Sequence, residues 1–190
     1  MKLYGSTTSP FVRRIRLCLT GKAYEFVNMD IFSGSGRELL RAKNPALKVP
    51  MLEDDGQMIF DSRVIHRYLQ DKFNQAPLSW DEENLLTLID AANDAFVQRM
   101  MLMRSGIAHD ADKLIFTLQD ERFSTTLSTL ENSVQHGGFE QWNYPSMCLY
   151  CLLDWVIFRE LYSFEEYPNL HAFWHAHQNT TNVAETDPRQ

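Results

Sequence analysis

The sequence predicts two unlike halves, a mixed α/β domain followed by an all-helical one. Three observations carry this. Residues 1–73 alternate short apolar strand patterns with amphipathic helix patterns. Asp54-Asp55-Gly56 lies between two of the strand patterns as a hairpin turn. From Glu82 onward strand patterns almost disappear. A chain of 190 residues is long enough for two small domains.

In chain order, Lys2 to Tyr4 reads as a short strand. Pro10 to Thr20 reads as a helix with Phe11, Ile15, Cys18 and Leu19 on one face, and Gly21 ends it. Tyr24 to Asn28 alternates as a strand, with Tyr24, Phe26 and Asn28 on one side. Ser33-Gly34-Ser35-Gly36 is a loop before a short helix from Arg37 to Ala42. Pro50 to Glu53 and Gln57 to Phe60 form the hairpin. Asp61-Ser62 caps a helix to about Phe73 that turns Val64, Ile65, Tyr68 and Leu69 inward. The order βαβ, helical connection, ββα gives one mixed sheet. The domain limits are 1–74 and 82–190, with a linker at 75–81 containing Pro77. Helices are expected at about 82–104, 110–120, 121–136, 146–162 and 168–178.

Composition excludes several classes of function. Hydrophobic residues make up 44% and charged residues 23%, and the net charge is −7. A nucleic-acid footprint needs a basic face. The only dense basic cluster, Arg13, Arg14 and Arg16, would point in several directions from a helix. MKLYGSTTSP has no apolar run of signal-peptide length, and no window approaches a membrane span. The three cysteines, Cys18, Cys148 and Cys151, are too few and too clustered for a disulfide framework, so a reducing cytoplasmic location is expected.

Three short motifs carry chemistry. Ser9-Pro10-Phe11-Val12-Arg13-Arg14 joins a strand to a helix start, where unpaired amides and the positive dipole end favour an anion. Proline fits the first helical position because its missing N–H costs nothing there. On these residues alone Ser9 is either a functional hydroxyl or a plain N-cap. Val49-Pro50 opens a strand, where the bond is cis or an ordinary trans one. Asp61-Ser62 opens a helix, as an anion site or a common cap pair.

Together and in this order, the motifs resemble the glutathione S-transferase superfamily, whose members join a thioredoxin-like N-terminal domain to a helical C-terminal domain. Ser9-Pro10-Phe11-Val12-Arg13 is most similar to the serine-type bacterial enzymes and the plant tau class. The resemblance implies that glutathione is the co-substrate and that no metal or nucleotide is used. It makes Ser9 the catalytic hydroxyl that stabilises the thiolate, with Thr8 as its rival, and counts Thr8 and Phe11 among the residues that bind glutathione. It implies a cis Pro50, with the backbone of Val49 pairing to the cysteine part of glutathione like an added strand. Asp61 would meet the γ-glutamyl ammonium and Ser62 the α-carboxylate. Lys48 would neutralise the glycyl carboxylate, or else be a solvated lysine. Phe96, Met100, Met103 and Arg104, on the first long helix, would line a pocket for a small hydrophobic electrophile in an inter-domain cleft. A homodimer is also implied. A cysteine thiol has a pKa near 8.5, so lowering it by about 2 units asks for roughly 2.7 kcal/mol of differential stabilisation. The rival functions are a non-catalytic partner-binding scaffold and a glutathione-dependent peroxidase or reductase.

Other motifs are set aside. Cys148-Leu149-Tyr150-Cys151 falls in an apolar helical run, not at a strand–helix junction, and reads as packing. His171, His175 and His177 lack a matching acidic partner for a metal. Asn143-Tyr144-Pro145-Ser146 stands where the family has a Ser/Thr-x-x-Asp capping box. Ser146 in place of aspartate suggests that Ser146→Asp would raise the melting temperature.

Overall fold

The structure is a computed structural model that describes residues 1–190. The first half folds as β1 (Lys2–Gly5), α1 (Pro10–Cys18), β2 (Glu25–Asn28), α2 (Gly34–Lys43), β3 (Met51–Asp54), β4 (Gln57–Phe60) and α3 (Ser62–Lys72). The strands form one sheet in the order β2-β1-β3-β4. The β1–β2 pair is parallel and the other two pairs are antiparallel, as the βαβ-then-hairpin reading requires.

Both faces of the sheet are covered. On one, Tyr4, Met29, Leu40 and Met51 form a buried cluster joined by Val27, Val49 and Phe60. Leu3, Leu52 and Ile59 are in register with one another. By the two-residue period they face the other way, where α1 and α3 bury Val12, Ile15, Ile65 and Leu69. This two-sided cover explains why β2 shows no clean alternation: neighbouring Phe26 and Val27 are both half-buried. The hairpin turn carries Asp55 at φ 48° and Gly56 at φ 77°, the pair of positive angles a two-residue turn of this type needs.

The second half holds α4 (Trp80–Arg104), α5 (Leu114–Gln135), α6 (Tyr144–Phe158) and α7 (Pro168–His177). α4 starts earlier than expected because Ser79 and Glu82 form a reciprocal capping box. The helices expected at 110–120 and 121–136 are a single one, α5. Asp120-Glu121 at the supposed break contains neither Gly nor Pro, and nothing there interrupts the backbone hydrogen bonds. Cys148 and Cys151 are buried in α6 and form no disulfide. No helix is long and apolar enough to cross a membrane.

The chain divides into two compact units, Met1–Leu78 with Asn179–Gln190, and Ser79–Gln178. The last twelve residues, assigned from sequence to the helical half, instead pack with the first unit. A short 3₁₀ turn at Ala184–Thr186 lies there against α1. Patterning cannot reveal this, because the segment has no strong periodicity of its own.

The cap of α6 corrects the stability expectation. Asn143 accepts from the Ser146 amide at 3.3 Å, so the cap residue is the expected one. The Asn143 N–H, however, is already bonded to the Gln141 carbonyl at 2.8 Å. The Ser146 hydroxyl donates to that same carbonyl at 2.6 Å and is fully buried. An aspartate would find no donor and would place a buried anion beside a carbonyl oxygen. Ser146→Asp is therefore expected to lower stability by about 2 kcal/mol or more in thermal unfolding. A raised melting temperature would contradict this hydrogen-bond arrangement.

Candidate active site

Sheet register brings the three motifs to one end of the first unit. Tyr4 pairs with Met51, and Met51 pairs with Phe60. The segment leaving β1 (Ser6 to Ser9), the segment entering β3 (Val49-Pro50) and the segment leaving β4 (Asp61-Ser62) thus share one edge. With adjacent strands about 4.8 Å apart, all three fall within roughly 10 Å laterally. α1 and α3 both begin at this edge, so two positive helix ends meet there.

Ser9 is the N-cap of α1, and its Oγ accepts from the Val12 amide at 3.3 Å. A hydroxyl has one proton and two lone pairs, so accepting from Val12 leaves the proton to be donated elsewhere. The capping and catalytic readings of Ser9 are therefore compatible, and the cap bond fixes the oxygen. Thr8 is placed less favourably, since its Oγ1 is 3.1 Å from Ser6 Oγ and its amide donates to that same oxygen. Phe11 is half-buried, and its ring lies 4.8 Å from the Arg14 guanidinium carbon.

Other ionisable groups in this unit are poor activators. The Tyr4 hydroxyl donates to Glu53 at 2.6 Å, and this bond to a carboxylate, with burial, raises its pKa. Burial pushes the Cys18 thiol up to about 12. Neither is a ready anion near neutral pH.

The Val49-Pro50 bond is cis, the isomer the resemblance implies. Lys48 is exposed, and its carbonyl accepts from the buried Asn44 side chain at 2.8 Å, which anchors the segment that carries it. Asp61 is the N-cap of α3 and accepts from the Arg63 and Val64 amides at 2.8 and 3.4 Å. Its backbone has φ 71° and ψ 136°, a combination that costs a non-glycine residue energy. Such strain in an exposed residue beside the other two motifs marks a place where position is specified. Ser62, the first residue of α3, is 3% exposed. One Asp61 oxygen takes the Arg63 and Val64 amides, so fewer amides at this helix start are open to an anion than the sequence implies.

One reading of the helical unit changes. Phe96 is fully buried and stacks on Phe123 with ring centroids 4.2 Å apart, so it is core and cannot wall an open pocket. Met100 is half-buried, while Met103 and Arg104 are exposed. Sequence patterning does not single out Gly5 as a site residue. A Cβ there would lie 2.4 Å from Val12 Cγ2, so the absence of a side chain lets α1 sit against β1 and sets the height of Ser9. Its position at the end of a strand is the available signal. Patterning also misses buried Arg13, because a basic run on a helix reads as solvated.

A βαβ-ββα sheet with a cis proline at this edge, followed by a helical unit, is the arrangement that the glutathione transferase resemblance implies. Residues 3–77 match the family model described as "Glutathione S-transferase, N-terminal domain". The chain as a whole has the fold of solved glutathione S-transferases. "Uncharacterized GST-like protein YibF" of Escherichia coli K12 is 28% identical over 175 residues, covering 85% of this chain and 84% of that one. Glutathione S-transferase U7 of Arabidopsis thaliana is 40% identical over 81 residues, covering 41% of this chain and 35% of that protein. Among solved structures, a glutathione S-transferase from Methylobacillus flagellatus KT with GSH bound superposes with a TM-score of 0.84 at 22% identity, over 98% of each chain. A maleylacetoacetate isomerase with bound malonate and GSH gives 0.72 at 25% identity, over 100% of this chain and 98% of that one.

Proposed function

We propose that this protein is a glutathione transferase in which Ser9 stabilises the glutathione thiolate. The observation that carries the reading is the Ser9 cap bond, which holds Oγ on the Val12 amide and leaves its proton to donate. The GSH-bound relatives of the same fold support glutathione as the ligand. Val49 offers its backbone to the cysteine part of glutathione, Asp61 faces the ammonium, and Ser62 faces the α-carboxylate. Lys48 neutralises the glycyl carboxylate, while Thr8 and Phe11 border the sulfur. Met100, Met103 and Arg104 contribute to holding the electrophile.

The chemistry is a thiolate addition. The thiol releases its proton to solvent and the sulfur attacks an electrophilic carbon. A C–S bond forms, and either the leaving group departs with its electron pair or, at an activated double bond, the new carbanion takes a proton. The protein acts in the cytoplasm as a homodimer, clearing electrophiles.

Calorimetric titration with glutathione tests the reading. One site per chain is expected, with Lys48→Ala weakening it about two- to fivefold, as for loss of one exposed charge partner. Absence of binding would overturn the proposal.

A further inference from the structure

We infer that the C-terminal segment Asn179–Gln190 is part of the thiolate-stabilising apparatus and that Arg13 is the positioning residue that couples it to Ser9. The inference rests on the glutathione reading of Ser9 given above. Arg13 touches both partners. Its amide donates to the Ser9 carbonyl at 3.0 Å and closes the first turn of α1. Its guanidinium, 3% exposed, donates from Nε to Thr186 Oγ1 at 3.3 Å and from a terminal nitrogen to the Val183 carbonyl at 3.1 Å. One turn along α1, Arg16 donates to the Glu185 carbonyl at 3.0 Å. Two arginines of the helix that begins at Ser9 therefore grip the terminal 3₁₀ turn.

The segment is braced internally to accept that grip. Thr186 Oγ1 donates its own proton to the Asn182 carbonyl at 2.7 Å, which leaves its lone pairs for Arg13. Gln190 Nε2 closes the end onto the Ala184 carbonyl at 2.8 Å. Val183 and Thr186 are buried, at 2% and 3% exposure. Hydrogen bonds from a charged donor are stronger than neutral ones, and a buried guanidinium keeps them because losing a partner leaves its charge unsatisfied in apolar surroundings. The first turn of α1 is thus held at two points, by its cap at Ser9 and by this strap. Thiolate stabilisation depends on donor placement to a fraction of an ångström, so loosening the second point degrades the first.

The test uses the full chain with Thr186→Val, which removes the oxygen but keeps the shape, and Thr186→Ser, which keeps the oxygen. Two readouts are compared. Hydrogen exchange of the first-turn amides of α1, which needs no glutathione, is expected to quicken in Thr186→Val and stay as wild type in Thr186→Ser. The pH profile of kcat/KM with glutathione and 1-chloro-2,4-dinitrobenzene is expected to shift upward by about 0.5–1 unit in Thr186→Val. That is a three- to tenfold loss of rate below the midpoint. Arg16→Gln is expected to shift it in the same direction. A lower melting temperature with an unmoved pH midpoint would make the strap merely structural and overturn the inference. Unchanged amide exchange would also overturn it. If wild-type protein binds no glutathione, the functional reading has failed, whereas a failure confined to the Thr186 variants is a failure of the strap.

Discussion

Ser9→Ala is expected to move the midpoint of the kcat/KM–pH profile up by about 1–2 units and to cut turnover below that midpoint about ten- to a hundredfold. The magnitude follows from the task assigned to the hydroxyl. Near pH 7 only about 3% of an ordinary cysteine thiol is ionised. One donated hydrogen bond to a thiolate at a helix N-terminus is worth about 1.5–3 kcal/mol, in the manner of other charge-assisted bonds. Alanine also removes the cap bond to the Val12 amide, at a cost of about 1 kcal/mol of stability. Ser9→Gly separates the two effects. Glycine is nearly as good an N-cap as serine, losing only a few tenths of a kcal/mol, yet it has no hydroxyl. The expected pattern is equal loss of activity in both variants, with the larger loss of stability in alanine alone. Activity retained in Ser9→Gly would move the role to another donor, with Thr8 first in line.

Gly5→Ala is expected to destabilise the first domain by about 1–3 kcal/mol, the range for forcing an extra carbon into a packed core. The new Cβ would lie 2.4 Å from one Val12 methyl and 2.9 Å from the other. Val12 is fully buried and β-branched, so it cannot swing aside. The helix must move instead, and Ser9 moves with it. Val12→Ala alone should cost a similar amount through the cavity it leaves. Combined, the two substitutions relieve one another, because the methyl group added at position 5 fills the space that the valine side chain vacates. Thermal unfolding of the four proteins should therefore show strong non-additivity, with the double variant more stable than the sum of the singles. Additive losses would mean that α1 does not rest on Gly5.

The elements that can be read from sequence share a physical cause. The hairpin turn, the caps at Ser9 and Asp61 and the helix from Ser62 depend on residues within a few positions of each other, and local chemistry decides them. Patterning separates the two halves of α5 because charged Asp120-Glu121 interrupts the apolar spacing, although charge does not break a helix. What stays hidden depends on contacts distant in sequence. Burial of Arg13 depends on residues 183–186, and the need for glycine at position 5 depends on Val12 crossing above it. The reversal at Ser146 has the same origin on a smaller scale. The Gln141 carbonyl already bonds the amide that an aspartate would have to reach, and only the folded loop shows this. At the candidate site, the residue types are legible and their geometry is not. Phe96 suits a pocket by type and helical spacing, and stacking on Phe123 removes it.

The most direct test of Ser9 as the thiolate's donor is an ultraviolet titration of glutathione bound to the wild-type protein and to Ser9→Gly. The expected result is a bound thiol with a pKa about 1–2 units below the ordinary value near 8.5, returning most of the way in the variant. A bound thiol that titrates like the free one, or a depressed value that Ser9→Gly leaves in place, would contradict it.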